Sequence, residues 1–465
     1  MNRSPATLLA ALAVASAVCA QVPVTPAPGI PAPAPSPAAS PVLPTAPAPE
    51  AAPAAVPAVV PALGKLSTLA TAPDWERLRP LTRTLSVEEF DTAFNAFYAG
   101  DGRFPPPWQQ DTAGLSIPTG KADGGTVRLD FRTADQAPAK APRFWRTPEE
   151  LPALEGKPVL SGLRIALDPG HIGGAYATLE ERYLTFHPET PGEVVTEGDH
   201  VLKVAQMLKP RLEALGAKVS LVREQPEPVT TQRPADLRIT ALNLLRENGI
   251  TNPQEGYADR NGDAKVLSIQ WQSEKLFYRN SEIHARAQRV NEDLKPDIVV
   301  CMHLNAEGWG DSRQPQYSPV NHLHVLVNGC YDPGELQMQD IRFEMFNRLF
   351  HRMHDVELPL AEAVGKAMAD STGLPPYVYT TPNARLVGVT GYVYARNLLA
   401  NRIYDCPVIY LEPYVMNNAE TYQRLLQGPY VGRTLTSGRL RTSIYEDYAQ
   451  GVLNGLVNYY RSQRK

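Results

Sequence analysis

Cysteine is scarce in this sequence, with four residues among 465, at Cys19, Cys301, Cys330 and Cys406. Removal of Cys19 with an N-terminal leader would leave three, an odd number, so the chain is no disulfide scaffold. Cys301 sits inside an apolar run and Cys406 at the start of another, positions that serve packing. Basic clusters are missing too. The formal net charge is −4, with 45 Lys and Arg against 49 Asp and Glu, and no run of cations could track a phosphate backbone, which excludes nucleic acid as a partner. Beyond the first twenty residues no apolar run approaches the ~20 residues that span a bilayer, so no transmembrane segment is expected. Charge is almost absent from Gln21 to Leu63, where Glu50 stands alone among prolines and alanines.

That last stretch cannot form a core. Proline fixes φ and removes donors, so 21–63 reads as an extended Pro/Ala-rich spacer reaching up to roughly 130 Å at ~3.1 Å per residue. Ahead of it, Arg3 precedes an apolar stretch from Ala6 to Val18 that ends in small residues. This is the pattern of a secretory signal peptide, residues 1–20, and implies an exported protein of the periplasm or cell envelope. Cys19 could accept a lipid, but Ser16-Ala-Val18 is a poor match to that processing signal, and lipid anchoring is not the expectation.

Periodic sequence returns at 64–160, a small accessory region. Ser86-Val-Glu-Glu89 has capping-box form, with apolar positions at Phe90, Ala93, Phe94 and Phe97, and predicts a short amphipathic helix. Gly124 to Phe131 alternates as a strand does. No catalytic constellation is visible there.

The main domain, 161–465, is organised around three apolar runs, each ending in a group that can bind metal or move protons. Leu163, Ile165 and Leu167 alternate up to Asp168-Pro-Gly170-His171, a chain-breaking turn. Ile298 to Met302 is continuously apolar and stops at His303; Val408 to Leu411 stops at Glu412. Continuous runs suit strands covered on both faces, so the fold class is α/β, a mixed and largely parallel sheet with helices on both faces, and the three ends should converge on one edge. Between the first two runs, Thr196-Glu197-Gly-Asp199 opens a helix with apolar positions at Val201, Val204, Ala205, Leu208 and Leu212, closed by Gly216. Glu197 in its first turn suits the helix dipole whatever else it does.

Four stretches in this order, DPGH, TEGDHVLKVAQMLKPRLEALGAKVSLVRE, ARAQRVNEDLKPDIVVCMHLNA and PVIYLEPYVMNNAE, resemble the zinc-dependent N-acetylmuramoyl-L-alanine amidases of bacterial cell walls. In that family a glutamate opens the first helix about twenty residues before its closing glycine. Glu197 and Gly216 keep the spacing, whereas Glu180, Glu181, Glu189 and Glu193 do not. The resemblance implies Zn²⁺ held by His171, Glu197 and His303, with Glu412 as the catalytic base, and peptidoglycan as substrate. Ile172, Leu304 and Pro413 depart from the family pattern without removing a candidate ligand. Two stretches exceed the family core, at about 225–278 and 307–356, and additions of that size usually shape substrate access. The same ligands would also serve a zinc peptidase of the stem peptide, and the fold alone would serve a non-catalytic wall-binding protein. No regulatory partner is identifiable. His322 with His324, and His351 with His354, have spacings that suit metal but lie outside the family pattern. Asp259-Arg-Asn261-Gly-Asp263 lacks the glutamate of a calcium loop and reads as a turn.

Overall fold

The computed structural model describes residues 63–100, 106–121, 124–187, 190, 192–257, 263–308 and 315–464. The expected leader, Cys19, the spacer before Leu63 and most of the Asp259–Asp263 turn lie outside them. No helix among the described residues is long and apolar enough to cross a membrane.

The accessory region carries a three-stranded antiparallel sheet, β1 (Gln109–Asp111), β2 (Gly114–Pro118) and β3 (Thr126–Asp130). Its helix Val87–Ala93 begins with the expected reciprocal cap: Ser86 Oγ accepts from the Glu89 amide, and the Glu89 carboxylate accepts from the Ser86 amide. Together with Trp75 of the helical turn Trp75–Leu81, these elements bury Phe90, Leu115, Ile117 and Leu129 against Phe343, Phe346 and Phe350 of the helix Gln339–Phe350. The accessory region therefore closes its core with residues from the far side of the sequence.

Next come β4 (Arg164–Pro169), the ribbon β5 (Tyr183–Leu184) and β6 (Val195–Thr196), then the helix Glu197–Ala214 and β7 (Lys218–Leu221). The remaining strands are β8 (Ile298–Met302), β9 (Leu323–Val327), β10 (Arg385–Leu386), β11 (Val393–Ala395), β12 (Val408–Pro413) and the hairpin β13 (Thr434–Thr436) and β14 (Arg439–Arg441). Seven of them form the main sheet in the order β10-β11-β9-β12-β8-β4-β7. β7, β4, β8 and β12 run parallel, while β9 pairs antiparallel with β12.

Alternation assigns the two faces. Ile165, Leu167, Val300 and Met302 pack with Val204, Leu208, Val364 and Val452 on one side. Ala166, Val299, Cys301 and Tyr410 pack with Ala287, Val290, Met353 and Val356 on the other. All five residues of β8 are buried, which is why that run carries no polar alternation. On the first face the helix Ile444–Gln463 lies so close to His354–Thr372 that a Cβ at Gly455 would overlap the Val364 backbone.

The stretch 307–356 is divided by this arrangement. β9 lies inside the sheet, between β11 and β12, while Gln339–Phe350 serves the accessory core. Only part of the segment can act as a surface addition.

His200 joins two helices across the core, its Nδ1 meeting the Tyr445 hydroxyl. Burial holds this imidazole down at about 4, against an ordinary 6.5. Below pH 6.5 the unfolded chain takes a proton that the folded site refuses, so this contribution to stability is intact above 6.5 and lost as pH falls toward 4. His200→Phe removes the dependence. The melting-temperature advantage of the parent over this variant should shrink between pH 7 and pH 4.5; a constant difference would contradict the assignment.

Candidate active site

Because β4, β8 and β12 are parallel neighbours, their carboxyl ends share one edge, and the residues that follow or close them meet there. His171 lies two residues past β4, His303 directly follows β8, and Glu412 is the fifth residue of β12. The helix Glu197–Ala214 starts at the same edge and places Glu197 in its first turn.

Glu197 lies between the two imidazoles. Its Oε1 is 2.9 Å from His303 Nδ1 and accepts from the Leu304 amide at 3.1 Å; its Oε2 is 3.2 Å from His171 Nε2. One ligand atom from each of the three side chains lies within 4.8 Å of the others, and among the described residues this is the group of three or more His, Cys, Asp or Glu so placed. Burial pushes Glu197 upward, but His171 and then His303 pull harder and leave it at about 2. Burial holds His171 well below the usual imidazole range, leaving a neutral ring with a lone pair to give. Two imidazoles and a carboxylate are a donor set that suits zinc.

The loop carrying His171 is held against its own preference. His171 has φ +54°, the left-handed region that a residue with a Cβ seldom occupies. Arg286 donates to the carbonyls of Pro169 and His171 at 2.8 and 2.7 Å; Arg223 donates to those of Gly170 and Gly198 at 3.2 and 2.7 Å. The buried Glu180 carboxylate accepts from the amides of Ile172 and Gly173, and its Oε1 lies 3.5 Å from His171 Nδ1. A carboxylate behind the non-ligating nitrogen orients a metal-binding histidine. Gly170 has no alternative, since a Cβ there would overlap the His303 ring. That ring stacks on Tyr410, with centroids 4.2 Å apart.

Glu412 lines the same recess, with Arg182, Ala306 and Tyr410. Burial first, then the neighbouring Glu197 charge, raise its carboxyl well above the ordinary range.

Several residues with a part in this geometry escape sequence reasoning. Glu180 lacks the helix spacing that marks Glu197, yet it clamps the loop. Arg182, whose Nε donates to His171 Nε2 at 3.3 Å, carries no motif. Arg286 left a faint signal, the i,i+4 pair with Glu282, bonded at 2.7 Å. At the start of the Glu197 helix Thr196 makes no capping bond; Asp199 accepts from Thr196 Oγ1 and from the Gly174 amide, tying the helix to the His171 loop. His351 and His354 are absorbed by packing and backbone contacts around Pro142, Phe97 and Tyr98.

Ile172 departs from the family pattern for a visible reason. It is fully buried in a small core made by Leu237, Ala241, Leu245, Ile269, Leu276 and Phe277 of the 225–278 segment. That segment thus grips the residue next to His171.

No family model and no curated protein matches the chain. Solved structures similar to it include the N-acetylmuramyl-L-alanine amidase Ami1 of Mycobacterium smegmatis, at 15% identity over 65% of this chain and 99% of that one, with a TM-score of 0.34. The CwlD amidase of Clostridioides difficile, solved in complex with the GerS lipoprotein, has 13% identity over 64% and 99%, with a TM-score of 0.35. The catalytic domain of CwlV from Bacillus (Paenibacillus) polymyxa var. colistinus has 14% identity over 64% and 97%, with a TM-score of 0.33.

Ile172→Ala should lower stability by about 2–5 kcal/mol, the usual loss for a buried large-to-small change. Ile239→Ala, on the same segment but 74% exposed, should stay within about 0.5 kcal/mol of the parent. Equal denaturant midpoints for the two variants would show that Ile172 is not an anchor.

Proposed function

We propose that this chain is an exported, zinc-dependent amidase that hydrolyses the bond between N-acetylmuramic acid and L-alanine in peptidoglycan. One observation carries the reading: His171, Glu197 and His303, from three separate stretches, meet at one sheet edge beside a recess that Glu412 also lines. The choice of bond rests on the order of the four motifs, which is that of the cell-wall amidases. The peptidoglycan substrate and the export of the protein follow from the same resemblance and from the expected leader.

His171, Glu197 and His303 would hold the ion. Zinc in such a donor set supplies Lewis acidity, making water nucleophilic near neutral pH and polarising a carbonyl. The protein's own part begins with Glu412. A carboxyl raised by burial keeps a proton more readily than an exposed one, and can take the proton of the attacking water and return it to the leaving amine. Glu180, Arg223 and Arg286 hold the His171 loop in place. Tyr410, stacked on His303, and Leu304, whose amide binds Glu197, hold the other two donors.

Glu412→Gln separates this role from metal binding. The variant is nearly isosteric, so it should fold and keep zinc as the parent does. Its rate of wall hydrolysis should fall by roughly 10²–10⁴, the size of a general acid–base contribution. His303→Ala, in contrast, should lose zinc and activity together. A zinc-loaded Glu412→Gln protein that turns over at the parent's rate would remove Glu412 from the mechanism.

A further inference from the structure

The antiparallel direction of β9 has a chemical consequence at the edge where β12 ends. The first residues of β9 lie there, and His324 is the direct pairing partner of Glu412. Directly opposed residues project to the same face, with Cβ atoms about 4.5–5.5 Å apart. Both side chains are buried, at 3% and 7% exposure. Each has one buried polar atom without a hydrogen-bond partner, Nδ1 of His324 and Oε2 of Glu412. Buried polar atoms are seldom left unpaired, so two on opposed residues point to a shared partner.

The donor order behind His324 says which of its nitrogens carries the proton. Its Nε2 lies 3.1 Å from the Tyr379 hydroxyl, and that oxygen also receives Arg396 Nη1 at 3.1 Å. A guanidinium can only donate, so the Tyr379 oxygen accepts from it, an arrangement in which the phenolic O–H can donate to Nε2 of His324. Burial, reinforced by His322 and Arg396, holds His324 well below the ordinary imidazole range. With Nε2 accepting, a neutral ring bears its hydrogen on Nδ1. Tyr377 and Tyr379 flank the ring at 5.0 and 5.4 Å; the neighbouring His322 has its Nε2 2.9 Å from Glu307, and its own Nδ1 is also buried without a partner.

We propose that His324 is a positioning residue for Glu412: its Nδ1–H donates to one buried water, which donates in turn to Oε2 and leaves Oε1 to face the recess. The water is placed by two otherwise unpaired groups, as buried waters generally are. This deepens the reading of Glu412 as the base and rests on it. Arg396, Tyr379 and His324 form a chain that ends on the carboxylate and fixes its rotamer without touching substrate.

Replacing His324 in the zinc-loaded, full-length protein tests the chain. Asparagine sets an amide nitrogen near the place of Nδ1, glutamine sets one near the place of Nε2, and phenylalanine keeps the ring's shape with neither. His324→Phe and His324→Gln should each lose on the order of ten- to a hundredfold in kcat, the range for a hydrogen bond to a charged group, with KM and zinc content unchanged. His324→Asn should stay near the parent's rate, a rescue that a purely structural role would not produce. A zinc-loaded, stably folded His324→Phe protein with the parent's kcat overturns the proposal, as does a glutamine variant that outperforms the asparagine one. A high-resolution crystal structure of the zinc-loaded parent supplies a readout independent of turnover. An ordered water within hydrogen-bond reach of both atoms supports the contact; its absence overturns it. A parent that hydrolyses no wall material while holding that water would contradict the function assigned to the site and leave the contact standing.

Discussion

A buried carboxylate between two imidazoles is the interaction on which the rest of this site depends. Taking the Glu197 charge out of water costs several kcal/mol unless it is paired and hydrogen-bonded. Here His171, His303 and the Leu304 amide supply the pairing. The geometry works only because three parallel strands end together, and because the Glu197 helix starts at the edge where they end. From that follow the arginines that thread the His171 loop, the glycine without which His303 would not fit, and the strained φ of His171 itself.

Two further cores lie outside the sheet. One belongs to the 225–278 segment and closes over Ile172; the other joins the accessory region to the helix Gln339–Phe350. Arg146 extends the second link. Its guanidinium shares the buried Asp297 with Arg164, at 2.7 Å from each, which pins the chain entering the main domain to the starts of β4 and β8. The 225–278 segment thus buttresses the His171 loop through Ile172, while Arg146 braces the opposite ends of β4 and β8.

Much of this was legible in the sequence because it is encoded locally. The runs Leu163–Leu167, Ile298–Met302 and Val408–Leu411 are apolar at their buried positions, and Ser86 with Glu89, or Glu197 with Gly216, mark helix ends by residue type alone. What stayed hidden depends on long-range pairing. Nothing in Leu323 to Val327 tells a reader that the strand enters the main sheet in reverse, so His322 and His324 read as a bare spacing and not as neighbours of Glu412. Glu180 carried no periodic mark, since its job is to satisfy two amides of a loop eight residues away. Ile172 looked like an interruption until the core that receives it was assembled from residues 65 to 105 positions later.

The central claim is that this edge cuts one particular bond, and the products decide it. Purified peptidoglycan digested with the zinc-loaded protein and resolved by mass spectrometry should yield glycan strands stripped of peptide, together with intact stems whose first residue is L-alanine. Stems cut between two amino acids, with the first residue still attached to muramic acid, would make the protein a peptidase and contradict the account.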